Sequence, residues 1–196
     1  MTTKKENKMK KKDVPARAAR RASPKYTYVL RSCAADLSSS RGFVWPAKGK
    51  VSAPDWKQTK ECGNGLHGFL MGVGDHSLAN WSPDAKWLVV KVEADTLIDL
   101  NGKVKFPAGE VVYCGDRMGA AAFIIDKGGD PAKVIGGTAT AGDGGTATAG
   151  DRGTATAGYG GTATAGDRGT ATAGDGGTAT AGYGGTATAG DRGTAT

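Results

Sequence analysis

The residues best equipped for chemistry in this chain of 196 residues gather around one phrase, ECGNGLHGFL, running from Glu61 to Leu70. Three glycines around His67 point to a backbone with positive φ or to close approach of the chain to something else. His67 is one of only two histidines, and His76 follows in GVGDHSLANW. With Cys62 and either Cys33 or Cys114, the two histidines would make a four-ligand zinc set, but Cys-x4-His-x8-His follows no closed structural pattern. The expectation is a hydrogen-bonded His67, with no metal and no other cofactor.

A second chemistry, a lattice of hydroxyls, is written further along. The octad Gly-Thr-Ala-Thr-Ala-Gly-x-x starts at Gly137, Gly145, Gly153, Gly161, Gly169, Gly177 and Gly185, and stops after Gly193-Thr194-Ala195-Thr196. In an extended segment Thr138 and Thr140 point to one side, with Ala139 and Ala141 on the other. The candidate binding surface is therefore Thr138, Thr140, Thr146, Thr148, Thr154, Thr156, Thr162, Thr164, Thr170, Thr172, Thr178, Thr180, Thr186 and Thr188. Their hydroxyls would recur at ~6.8 Å along a strand and ~4.8 Å between strands.

Three regions must position these groups. Residues 1–25 hold ten Lys/Arg against Glu6 and Asp13, residues 26–136 are nearly balanced, and the octads carry five Asp and three Arg. The basic segment lacks apolar periodicity and reads as a disordered tail, either solubilising and non-specific or able to neutralise phosphates weakly on nucleic acid or an anionic membrane face; no aromatic residue interleaves its charges for stacking on bases. All four Trp and all three Cys lie in residues 26–136, which alone can build a conventional core. There, YTYVLRSC, GFVWPAKGK (stopped by Pro46), WLVVKVEA and EVVYCG read as strands. TLIDL and NGKVKF form a pair across an Asn101-Gly102 turn, and RMGAAAFII reads as a short helix. The fold class is an α+β domain over 26–136, preceded by the tail over 1–25 and followed by a short Thr/Ala/Gly β-solenoid over 137–196.

Alanine inside and threonine outside describes a narrow solenoid, because a core of methyl groups fills only if two walls nearly touch. That favours sixteen residues per coil, about 3.75 coils and a stack about 18 Å long. The turn columns would then read Asp143, Tyr159, Asp175, Asp191 on one side and Asp151, Asp167, Tyr183 on the other. Twenty-four per coil stacks like on like better but leaves a triangle that alanine does not fill. A flexible Gly/Ala/Thr linker is the competing description; it requires no such strict phase. Arg152, Arg168 and Arg192 beside Asp151, Asp167 and Asp191 would balance charge along the columns. The open last coil offers a strand edge for self-association.

Several phrases carry resemblances. AGYGGTATAGD and AGDRGTATAG resemble the tandem repeats of bacterial ice-nucleation proteins, which implies Thr-x-Thr arrays that order water or bind ice. The departures are fewer coils, two threonine faces and two separated tyrosines, so binding ice rather than seeding it is expected. CGNGLHGF, with WLVVKVEA and GEVVYCGDR, is similar to a family of uncharacterised bacterial and phage domains with a Cys-x-x-Gly-(Leu/Phe)-His phrase, matched by Cys62, Gly65, Leu66 and His67. A looser likeness to ADP-ribosyltransferases implies that Arg31, His67 and Glu110 form a catalytic set, the glutamate stabilising an oxocarbenium-like transition state. The leading function is thus a non-enzymatic binding or structural role of the repeats, as an ice binder, a stalk or an assembly module. The alternative is an ADP-ribosyltransferase-like enzyme with the repeats as spacer. No apolar run reaches the ~18 residues of a membrane span. The odd cysteine count and the lack of a Sec-type leader predict a cytoplasmic protein.

Overall fold

A computed structural model describes residues 25–196; the basic tail, and with it the nucleic-acid expectation, falls almost wholly outside them. The first seven strands are β1 (Tyr26–Cys33), β2 (Gly49–Ser52), β3 (Leu66–Leu70), β4 (Lys86–Glu93), β5 (Ile98–Asp99), β6 (Val104–Phe106) and β7 (Ala108–Gly115). They form one sheet in the order β2-β7-β4-β1-β3-β6-β5, antiparallel at every pairing. The central pair, β1 and β4, is the longest register, from Tyr26 opposite Glu93 to Cys33 opposite Lys86.

Both strands are apolar on both faces because both faces are covered. Val29, Leu88, Val90, Phe106 and Trp45 pack on one side, under the long segment that joins β1 to β3. On the other, Leu30, Phe69, Trp87 and Val89 pack against the helix α1 (Arg117–Asp126) through Ala120, Ala121 and Ile124. Asp116 caps that helix, its carboxylate accepting the Gly119 N–H at 2.9 Å. Asn101 and Gly102 both take positive φ, as a tight turn between β5 and β6 demands. One strand falls elsewhere than the sequence suggests: Val44 makes only an isolated bridge to Ser38 and is exposed, and the strand is β2, beyond Pro46, paired to β7.

The octads form β8 to β14, spanning Thr138–Ala141, Thr146–Ala149, Thr154–Ala157, Thr162–Ala165, Thr170–Ala173, Thr178–Ala181 and Thr186–Ala189, followed by β15 (Thr194–Ala195). Alternate strands pair in parallel, giving two four-stranded sheets, β14-β12-β10-β8 and β15-β13-β11-β9. Thr154 faces Thr138 and Thr170, and Ala155 faces Ala139 and Ala171, so one coil is sixteen residues. Alanine methyls close the interior, with Ala155, Ala163, Ala171 and Ala179 wholly buried.

The invariant glycine that opens each octad is explained by crowding rather than φ. A Cβ on Gly161 would stand 2.9 Å from the Ala157 methyl and 2.9 Å from the Gly145 carbonyl oxygen. The last octad position is different, because it is left-handed in every coil. Gly144, Gly160, Gly176 and Gly184 occupy it, and so do Arg152, Arg168 and Arg192, with φ of 55°, 54° and 58°.

The turn aspartates do not pair with those arginines: among the described residues no Arg–Asp ion pair forms within the array. Four of the five reach along the column instead. Asp143 Oδ1 accepts the Tyr159 N–H at 2.9 Å, Asp151 Oδ1 the Asp167 N–H at 3.1 Å, Asp167 Oδ1 the Tyr183 N–H at 2.9 Å and Asp175 Oδ1 the Asp191 N–H at 3.0 Å. A backbone donor left over by the coil geometry is satisfied by the carboxylate one rung earlier.

Candidate functional site

The threonines named from the sequence come together as two faces. Thr138, Thr154, Thr170 and Thr186 form one column of the first sheet, with Thr140, Thr156, Thr172 and Thr188 beside it. Thr146, Thr162 and Thr178 with Thr148, Thr164 and Thr180 form the second face, extended by Thr194 and Thr196, which the sequence reading leaves out. Thr196 continues its column directly, its Oγ1 3.1 Å from that of Thr180. Because every strand is in register with identical neighbours, each face is a rectangular grid with ~6.8 by ~4.8 Å spacing. Tyr159 and Tyr183 protrude from opposite turn columns, both exposed.

The first coil is fastened to the globular domain. Val134 and Ile135 are buried in the core beside α1, and the Ile135 N–H donates to the Gly72 carbonyl at 2.9 Å. His76 Nδ1 stands 2.9 Å from Asp151 Oδ2. The Arg152 guanidinium lies 3.9 Å over the Trp81 ring, whose indole N–H donates to the His76 carbonyl at 2.8 Å. That stack gives Arg152 a reason to occupy a left-handed position better suited to glycine.

The chemistry proposed around His67 divides differently. Arg31 on β1 and His67 on β3 line one cleft of about 600 Å³. Glu110 lies on β7 in a separate depression with Lys50 and Lys91. β4 and β1 intervene between β7 and β3, about 14 Å of sheet. Arg31, His67 and Glu110 therefore do not form one constellation. The zinc set is dispersed as well. Cys33 is buried with its thiol toward the Lys86 carbonyl, His76 faces the array, and only Cys62 and His67 share the cleft. Among the described residues no group of three or more His, Cys, Asp or Glu could hold a metal ion.

His67 is hydrogen-bonded, as the glycine-rich phrase leads one to expect: the Gly63 N–H donates to its Nε2 at 3.4 Å. Burial, reinforced by the charges of Lys103, Arg31, Lys105 and Arg41, holds its pKa down to about 4. The imidazole is thus neutral at physiological pH. Cys62 on the rim accepts a hydrogen bond from Lys103 Nζ at 3.2 Å, which lowers its pKa. Sequence reasoning missed Arg41 and Lys103 because they come from loops far apart in the chain.

The family model for a domain of unknown function (DUF7666) matches residues 27–126, just over half of the 196-residue chain. The chain belongs to the DUF7666 family. Its DUF7666 domain is the seven-stranded sheet with α1, and the array follows it.

Curated relatives include an ice nucleation protein of Pseudomonas syringae pv. syringae, 40% identical over 114 residues, covering 57% of this chain and 10% of that protein. A second from Pseudomonas syringae is 42% identical over 106 residues, with 53% and 9% covered. Ice nucleation protein InaU of Pantoea ananas is 37% identical over 99 residues, with 50% and 10% covered. The chain spans about a tenth of the length of these relatives. Each aligned stretch is longer than the whole of residues 127–196, so the similarity reaches into the DUF7666 domain. No solved structure matches the chain. Among the described residues no helix is long and apolar enough to cross a membrane.

Proposed function

We propose that the two threonine faces bind ice, or water ordered as in ice. The observation that supports this is the in-register grid: hydroxyls and methyls alternate at fixed intervals on two sheets held rigid by a closed alanine core. A mobile hydroxyl must be ordered before it can order water, and here parallel pairing has already ordered it. The relatives named for ice nucleation support the same reading. A structural role as a stalk is supported by the contacts of Asp151 with His76 and of Arg152 with Trp81.

The deciding experiment is ice-recrystallisation inhibition by the full chain, beside variants carrying Lys at Thr154, Thr156, Thr170 and Thr172 on one face, or at Thr162, Thr164, Thr178 and Thr180 on the other. Circular dichroism of each variant checks that the β-structure persists. Inhibition lost with either set assigns the ice surface to that face. A folded array that never inhibits recrystallisation sinks the ice reading and leaves the stalk.

A further inference from the structure

None of the array threonines lines the cleft that holds Arg31 and His67. Its electrostatics are lopsided. Arg31, Arg41 and Lys103 line it, against the single carboxylate of Asp55, which already accepts from Asn64 Nδ2 at 3.2 Å. Behind it lies Lys105, wholly buried, whose Nζ donates to the Glu61 carbonyl at 2.9 Å and the Thr59 hydroxyl at 3.4 Å, with no ion pair among the described residues.

Arg31 is the most telling member. Its guanidinium lies 5.7 Å over the Trp45 ring, its Nε is buried without a hydrogen-bond partner among the described residues, and no carboxylate pairs with it there. Burying a cation without counter-charge is costly, and an apolar residue in place of Arg31 would avoid that cost. A group that supplies the missing negative charge explains why the cations converge.

The walls narrow the ligand class. Phe43 and Trp45 meet edge to face, with centroids 5.6 Å apart, and Leu66 adds apolar surface. The volume suits a small organic molecule rather than a bare ion. Three cations against one carboxylate, with a neutral imidazole, leave an excess of two positive charges, which matches a phosphate monoester near pH 7.

We propose that this cleft binds a small phosphate monoester, its phosphate held by Arg31, Arg41 and Lys103 and its apolar or aromatic portion lying against Phe43 and Trp45. A soluble ester and a lipid headgroup share that chemistry.

The test uses the full chain and the double variant R41S/K103M. Arg41 is exposed and Lys103 half-buried, so the fold is retained while two phosphate partners are lost. Calorimetric titration with phenyl phosphate should show saturable binding, weakened at least tenfold in the double variant and tighter than that of inorganic phosphate. Flotation with vesicles of phosphatidylcholine and phosphatidic acid separates the sources. Wild type floating while the variant does not identifies a headgroup, whereas equal behaviour identifies a soluble ester. Both proteins carry the basic N-terminal segment, so only their difference counts.

Cys62 provides a second readout. Iodoacetate is an organic anion and iodoacetamide its neutral counterpart, so the ratio of their alkylation rates at Cys62, followed by mass spectrometry, reports anion concentration at the rim. The ratio should fall several-fold in R41S and on addition of phenyl phosphate. Absence of saturable binding, equal binding by wild type and variant, or an alkylation ratio unmoved by R41S would overturn the proposal.

Discussion

The DUF7666 domain and the array bury themselves by opposite means. The domain closes around large, unlike side chains such as Trp45, Leu88 and Phe106, each fitted to its own surroundings. The array closes around one methyl group repeated, with glycine wherever anything larger would strike the next coil. In the first the information is spread over many distinct contacts; in the second it lies in a period. The two should therefore fail differently: the domain through holes, the array through excess.

The largest expected effect is a hole. Phe106→Ala, at a wholly buried ring, should cost about 3–5 kcal/mol, read as a shift in the urea midpoint of tryptophan fluorescence, since all four Trp lie in residues 26–136. Its mirror image is excess. Ala163→Leu places an isobutyl group between walls that leave Ala163 no exposure and should cost about 1–3 kcal/mol. Hydrogen exchange should show that loss in the octads while β1 and β4 stay protected. Equal loss in both regions would break the contrast.

Acid sharpens it. His67 titrates near pH 4 in the fold, below its ordinary value of 6.5, so between those values the unfolded chain holds more protons. The stability it contributes is present above pH 6.5 and is lost as pH falls toward 4. His67→Gln should flatten that slope for the domain's unfolding and leave recrystallisation inhibition unchanged.

The smallest effect separates two arginines in the same left-handed position. Arg168→Gly relieves the backbone and should stabilise the array by about 0.5 kcal/mol, the conformational gain exceeding the entropy glycine adds to the unfolded chain. Arg152→Gly gains the same relief but forfeits the Trp81 stack and should be neutral or destabilising. Thermal melts of the two variants side by side decide it.

Most of the architecture could be read from the sequence where the signal is local. β1, β4, β7, the Asn101-Gly102 turn and α1 follow from β-branched runs, turn chemistry and alanine. The sixteen-residue coil follows from the size of an alanine methyl. β2 escaped because GKVS has little apolar character of its own and becomes a strand by pairing with β7. The cleft was half legible: Arg31 and His67 stood out by type, but Arg41 and Lys103 join them only through the path of loops. Glu110 was misplaced because sequence order does not reveal that β4 and β1 lie between it and β3. Likewise, aspartate beside arginine suggested charge balance, whereas the coil sends the Asp151 and Asp167 carboxylates to backbone N–H groups sixteen residues on.

The docking of the first coil also bears on how the array assembles in time. A stack of identical rungs has no preferred starting point, and its first rung is the hardest to form, since it gains no neighbour in return for the chain it orders. Val134, Ile135 and the Gly72 carbonyl present the first octad with a surface already in place. Ordering can then begin beside the finished domain and advance one coil at a time, so that pairings a whole repeat out of step among near-identical octads are disfavoured from the start. The domain thus acts as a seed that sets the phase of a repeat unable to set its own.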